Sequence, residues 1–300
     1  MSQERERKLS ERLPKYEPLE ESVQKLIDNL KTRKTHGPEF KTAVDAFDRG
    51  TYGLHRSHLV VLAARPGNGK TALASLIAYN LADQGSSVAF VSLELTKETL
   101  LERIFCMKYN VNMTSLILGS YGNEIYQKLE LFKSYCMDSK LKIIDDYCFN
   151  ESELCTLFDK LNYRPDVLIL DHIQHIRANH TFKTERENIS EYLRCLKEYA
   201  MRYKIAVLCV SQINREGDQS PSMSNLKGSG SLEELADSIF LLHLERSDDE
   251  ESQLIPAEIK IAKNRHGQLR KFKLVYNGPR YLFYNQTQTL KKEENYEIRN

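Results

Sequence analysis

Gly69-Lys70-Thr71 places a cation and a hydroxyl directly after a glycine, and it closes the run Ala64-Arg65-Pro66-Gly67-Asn68-Gly69-Lys70-Thr71. An apolar stretch, Leu59-Val60-Val61-Leu62-Ala63, precedes that run, and the helix-favouring Ala72-Leu73-Ala74-Ser75-Leu76 follows it. Strand, glycine-rich turn and helix in this order make a phosphate cradle. Gly67 and Gly69 let main-chain N–H groups close on an anion, and the helix start adds its free N–H groups and dipole. The spacing predicts contact of Arg65, Pro66, Gly67, Asn68, Gly69, Lys70, Thr71 and Ala72 with a nucleoside triphosphate. Lys70 reaches the β/γ-phosphates and the Thr71 hydroxyl holds Mg²⁺. Ala64 stands where the strict pattern has glycine.

Further polar residues end apolar runs. Glu94 follows Val88-Ala89-Phe90-Val91-Ser92-Leu93, where it either activates a water against the γ-phosphate or caps the next helix, with Thr96 the better cap. Asp171 ends Val167-Leu168-Ile169-Leu170 in the manner of an acid that holds Mg²⁺ through water. Gln212 follows Ala206-Val207-Leu208-Cys209-Val210-Ser211, where an amide can sense the γ-phosphate or simply leave the strand. Lys263 and Arg265 flank a turn at Arg265-His266-Gly267, either as a solvated hairpin tip or as cations that reach a neighbour's phosphate. His172, His175 and His180 cluster without the cysteines or carboxylates of a usual metal site.

These residues need a scaffold that delivers them to one edge. Strands are expected at 58–63, 87–93, 141–144, 166–170 and 205–210, with helices at 70–82, 97–109, 151–161 and 187–203. Continuous Val/Ile/Leu runs separated by helices indicate a parallel sheet covered on both faces. Strands at 238–244, 258–262, 270–276 and 280–284 are expected to add an antiparallel edge near the C-terminus. Leu19, Val23, Leu26, Ile27 and Leu30 share one face of an earlier helix, residues 18–35, that starts at Pro18 and needs a partner surface. Residues 1–17 are charge-rich and expected to be disordered, and 287–300 form a polar, flexible tail. The intervening 36–286 read as one domain. The segment 214–231, long and rich in glycine and serine, is of the kind that is either functional or disordered.

Composition sets the surroundings. With 43 basic and 42 acidic residues the chain has no global basic footprint, so contact with nucleic acid must be local. Six scattered cysteines without a C-x-x-C pair favour free thiols in a reducing compartment. No apolar run is long enough to cross a bilayer and no signal-peptide core is visible, which predicts a cytoplasmic protein without membrane contact.

Taken in order, the motifs resemble the C-terminal motor domain of the DnaB-type replicative helicases. The residues that carry the resemblance are Ala63 to Thr71, Val91-Ser92-Leu93-Glu94-Leu95, Leu168 to Gln174, Val210-Ser211-Gln212-Ile213-Asn214-Arg215, Gly228 to Glu233 with Ala236-Asp237, and Ala262 to Gly267. Ala64 is usual in that family. The resemblance implies an α/β, RecA-like P-loop NTPase fold that forms a homo-oligomeric ring, a hexamer in that family, around single-stranded DNA. It implies ATP as the nucleotide, Glu94 as catalytic base, Asp171 as the Mg²⁺-holding acid, Gln212 as sensor, and Lys263 and Arg265 acting in trans. It places Arg177, Lys183, Arg186, Arg215 and Lys227 in loops that face DNA, and the 18–35 helix as the linker that docks on an adjacent subunit. Replication partners such as a loader or primase follow from the same resemblance, as does 5′-to-3′ translocation in a phage or plasmid replicon. The family's N-terminal domain has no counterpart here, His172 stands where Tyr is common, and Lys227-Gly228 replaces a more charged pair. Two other functions remain: an ATP-switched DNA-binding module similar to RecA, KaiC and RadA, and an accessory protein of a helicase ring.

Overall fold

The computed structural model describes residues 18–36, 39–145, 149–160, 163–178, 184–213, 221–223, 229–245 and 253–285. The chain divides into two compact units, Met1–Glu39 and Phe40–Asn300. The first contains helix α1 (Leu19–His36), with Glu20 and Glu21 in its first turn, where the helix dipole favours acids. Its predicted stripe is exposed throughout, from Ile27 at 40% to Leu19 at 81% of full accessibility.

The second unit is built on a nine-stranded sheet. It begins with the short α2 (Asp45–Asp48), then β1 (Leu59–Ala64), α3 (Lys70–Asp83), β2 (Val88–Ser92) and α4 (Lys97–Tyr109). Next come α5 (Met113–Ile117), α6 (Glu124–Asp138), β3 (Leu141–Asp145), α7 (Glu151–Lys160), β4 (Val167–Asp171), α8 (Glu185–Tyr203) and β5 (Ala206–Gln212). The chain then forms α9 (Ser229–Leu235), β6 (Ser238–Leu244), β7 (Leu254–Asn264), β8 (Lys271–Asn277) and β9 (Leu282–Asn285). The strand order is β3-β2-β4-β5-β1-β6-β7-β8-β9.

Period-two alternation explains the layering. On β1, Val60, Leu62 and Ala64 face one core with α2 and α3, whereas Leu59, Val61 and Ala63 face a second core with α7 and α8. Every residue of β1 is buried, as a strand covered on both faces requires. Truncating Leu62 to alanine there would cost about 2–5 kcal/mol, because the dense interior refills a cavity only in part. Phe47 of α2 stacks on Phe240 of β6 at 4.1 Å between ring centres and closes the first core.

The structure corrects the sequence reading in two places. β6 pairs in parallel with β1, from Val60 opposite Ser238 to Ala64 opposite Leu242, so the antiparallel edge begins one strand later, at β7. The stretch between β5 and β6, which includes α9, is long enough for a crossover, and a tight hairpin is not needed there. Helices α2, α5, α6 and α9 had no sequence expectation, and α9 begins inside the segment read as the 214–231 loop. Only Ile125 and Phe132 are buried on α6, and α2 spans four residues, too few for a periodic signal. Residues 1–17 and 287–300, read as disordered from their composition, lie outside the described residues.

Candidate active site

The parallel register brings the C-terminal ends of β1, β5, β4 and β2 together. Ala64 lies opposite Gln212, and Ser92 opposite Asp171. Leu93 donates its N–H to the Asp171 carbonyl at 2.7 Å, and Ile213 donates to the Ala64 carbonyl at 3.0 Å. Ligands of open α/β sheets bind at this edge.

The turn after β1 adopts the conformation its glycines predict. Gly67 and Gly69 have φ of 76° and 74°, and Gly69 is the residue from which α3 starts. A Cβ on Gly69 would also meet the Phe283 ring at 3.0 Å, so both backbone and packing specify glycine there. α3 has no side-chain cap and no acid in its first turn, so its N-terminal N–H groups face the turn uncovered by a carboxylate.

Three side chains converge on the cradle. Lys70 is buried, and its Nζ donates to Glu94 Oε2 at 3.3 Å. Burial pushes the Glu94 pKa up, but the Lys70 ammonium beside it outweighs that and holds the carboxyl below its ordinary value. Glu94 is therefore ionised at neutral pH and retains 41% exposure toward solvent. Thr96 caps α4, accepting from the Thr99 N–H at 3.2 Å, which leaves Glu94 without a capping role. Asp171 is wholly buried, and neither carboxylate oxygen has a hydrogen-bond partner in ordinary geometry. Burial raises its pKa, against the nearby Thr71 hydroxyl and Lys70 ammonium, which lower it. An orphaned buried carboxylate beside a buried threonine hydroxyl suits Mg²⁺, a hard cation that takes few protein oxygens and completes its shell with water and phosphate. No cluster of three or more His, Cys, Asp or Glu suited to a metal occurs among the described residues, and His180 lies outside them.

The structure adds a hydrogen-bonded run that the sequence reading did not assign. Gln174 Oε1 accepts from the Gln212 N–H at 3.1 Å, and its Nε2 donates to Ser211 Oγ at 2.9 Å. Because a main-chain N–H must donate, the oxygen of this amide is fixed, and His172 Nδ1–H donates to it at 3.1 Å. The other ring nitrogen, His172 Nε2, lies 3.4 Å from Glu94 Oε2. Burial, with Lys70 and His175, lowers the His172 pKa to about 4, so the ring is neutral at pH 7 and turns its Nε2 lone pair toward Glu94. Glu94 is thereby linked to the main chain of Gln212. Both Gln174 and His172 fall inside one of the sequence motifs, but one sequence cannot reveal pairing across strands.

Lys263 and Arg265 lie elsewhere. Arg265 donates its main-chain N–H to the Asp237 carbonyl at 2.9 Å, and Asp237 in turn donates to the Leu59 carbonyl at 2.8 Å. This is the start of β1, whereas the cradle follows its end, roughly 16 Å away at about 3.3 Å per residue. The structure therefore does not bring Lys263 or Arg265 to the chain's own cradle. Lys263 Nζ donates to the Ala236 carbonyl at 2.6 Å and also to the Glu233 carbonyl.

Of the five cations expected to face DNA, Arg177 and Arg186 are exposed. Arg177 follows β4 and donates its N–H to the Phe149 carbonyl at 3.0 Å. Arg186 lies in the first turn of α8 with its guanidinium beside Gly230 of α9. Lys183, Arg215 and Lys227 lie outside the described residues.

Residues 40–285 match the model of the DnaB-like helicase C-terminal domain. A probable plasmid replicative DNA helicase of Chlamydia psittaci is 32% identical over 247 residues, covering 79% of this chain and 53% of that protein. The replicative DNA helicase DnaC of Bacillus subtilis (strain 168) is 33% identical, covering 80% of this chain and 55% of that protein. The chain thus spans about half the length of these relatives. Among solved structures, an isolated ATPase domain superposes with a TM-score of 0.77 at 25% identity, over 90% of this chain and 99% of that one. A DnaB-like replicative helicase, solved with its interactions with primase, gives 0.75 at 24% identity and supports the fold, over 90% of this chain and 71% of that one.

Proposed function

Since the chain belongs to the DnaB-like helicase C-terminal domain family, we propose that it is the motor of an ATP-driven, ring-forming DNA helicase that moves 5′-to-3′ on single-stranded DNA during replication. The observation that carries this reading is the separation of its charged groups between the two ends of β1. Lys70, Glu94 and Asp171 gather at one end, and Lys263 and Arg265 at the other. A head-to-tail ring joins one end of each subunit to the opposite end of the next, and it completes one shared ATP site per interface. A hexamer fits this arrangement. A cytoplasmic phage or plasmid replicon supplies the setting, with a loader and primase as partners.

In this mechanism the cradle and Lys70 bind the triphosphate. Thr71 and Asp171 would hold Mg²⁺, which would supply charge neutralisation to the triphosphate. Glu94 orients the attacking water and accepts its proton. The carboxyl O–H so formed can rest on the neutral Nε2 of His172. Gln174 couples that pair to Gln212, the sensor, at the exit of β5. Arg265, with Lys263, enters from the neighbouring subunit to offset charge on the transferring phosphoryl group. Arg177, Lys183, Arg186, Arg215 and Lys227 contact DNA phosphates, so binding weakens as salt rises. α1 docks on an adjacent subunit through its exposed apolar stripe.

A forked duplex tests this directly. Unwinding of a fork with a 5′ single-stranded tail, and not of one with only a 3′ tail, is the expected result. Intact ATP hydrolysis with neither fork unwound would favour the ATP-switched binding module.

A further inference from the structure

The buried carboxylate of Asp237 takes no part in the steps above, yet it sits at the root of the cation pair. Oδ2 accepts from the Leu59 N–H at 2.7 Å and from Lys197 Nζ at 2.6 Å. Oδ1 accepts from Arg265 Nη1 at 3.4 Å, and the Asp237 carbonyl accepts from the Arg265 N–H at 2.9 Å. Arg265 is thus gripped by main chain and side chain of one residue. Its Nη2 donates to the Glu234 carbonyl, while Lys263 rests on the carbonyls of Glu233 and Ala236. Glu233 and Glu234 lie in the last turn of α9 and Ala236 just beyond it, where the helix dipole favours cations. The Asp237 side chain is only 5% exposed, whereas that of Arg265 keeps 43% of its surface in solvent.

This asymmetry is that of a buried root beneath a half-exposed guanidinium. A buried carboxylate is costly unless its charge is matched, and here Lys197 and the Leu59 N–H match it independently of Arg265. Burial alone would push its pKa up; Lys197, the Leu59 N–H and His58 reverse that and keep it ionised. We propose that Asp237 is the positioning residue of the trans-acting cation. By fixing the main chain and guanidinium of Arg265 at the start of β6, it presents Arg265 to the triphosphate bound by the next subunit. The inference rests on the trans role of Arg265 proposed above. A merely structural Asp237, tying β1 to β6, would show the same contacts but act within its own subunit.

Subunit mixing separates these cases. Lys70→Ala subunits lack a nucleotide site but present an intact Arg265, and Arg265→Ala subunits do the reverse. Roughly a quarter of interfaces in an equimolar, exchanging mixture are then complete. Asp237→Asn alone is expected to lower ATP turnover about 10²-fold, as misplacement of a positioned group does. Nucleotide affinity should stay within about twofold. Mixing Asp237→Asn with Lys70→Ala should restore hydrolysis, and mixing it with Arg265→Ala should not. Recovery of Arg265→Ala but not Asp237→Asn by Lys70→Ala would overturn the positioning role and leave the trans reading standing. Recovery of neither would overturn the trans reading and the positioning role with it. If Asp237→Asn yields no folded protein, Asp237→Glu, which keeps the charge but moves the carboxylate by one methylene, gives the same two outcomes.

Discussion

Lys70 stands between two carboxylates with opposite environments. Glu94, half-exposed and in contact with Lys70 and His172, stays below its ordinary pKa and is ready to accept a proton. Asp171, fully buried, has its pKa raised by that burial and gains most from a cation. Glu94→Gln should therefore retain nucleotide binding while slowing turnover by about 10²–10⁴, the usual worth of a positioned base. Lys70→Ala should lose triphosphate binding itself. Fluorescent-nucleotide titration and phosphate release, measured side by side, distinguish the two, and equal turnover in Glu94→Gln and wild type would remove Glu94 from the chemistry. A second residue-scale prediction concerns acid. His58 is pushed down from 6.5 to about 4, by burial first and then by His55, His266 and Lys197 against Asp237. The unfolded chain binds the proton that the folded chain refuses, so stability present above pH 6.5 is lost as pH falls toward 4. His58→Asn should flatten the fall of the thermal midpoint across that window; parallel curves for the two proteins would contradict it.

At the scale of elements, α1 leaves its apolar face exposed among the described residues. Leu19, Val23, Leu26 and Leu30 each keep more than half of their surface exposed, an arrangement that calls for a docking surface. Leu26→Asp should dissociate the oligomer in sedimentation while leaving the thermal midpoint of the motor unit unchanged. An intact ring would show that α1 is not the tether. This stripe was legible in the sequence because five apolar residues share one helical face, and so were β1 to β5, whose Val/Ile/Leu runs have no other explanation. The parallel pairing of β6 was not legible, because strand direction depends on where the intervening chain returns. α6 was missed because only two of its residues reach the core. At the site, the positions of Lys70, Glu94 and Asp171 could be read from strand ends. Gln174 and Asp237 could not, since their meaning lies in contacts 38 and 178 residues away.

Among the described residues, the two charged sets lie at opposite ends of the central strand. The balanced net charge fits this division: local placement, rather than an overall basic surface, determines what is bound. The most direct test of this account is ATP hydrolysis with and without long single-stranded DNA, in wild type and in Arg265→Ala. The account predicts strong stimulation by DNA in wild type, and a loss of turnover in Arg265→Ala of about 10³ or more with nucleotide still bound. Hydrolysis that responds neither to DNA nor to the loss of Arg265 would contradict it, and would make the chain a nucleotide switch with a helicase fold.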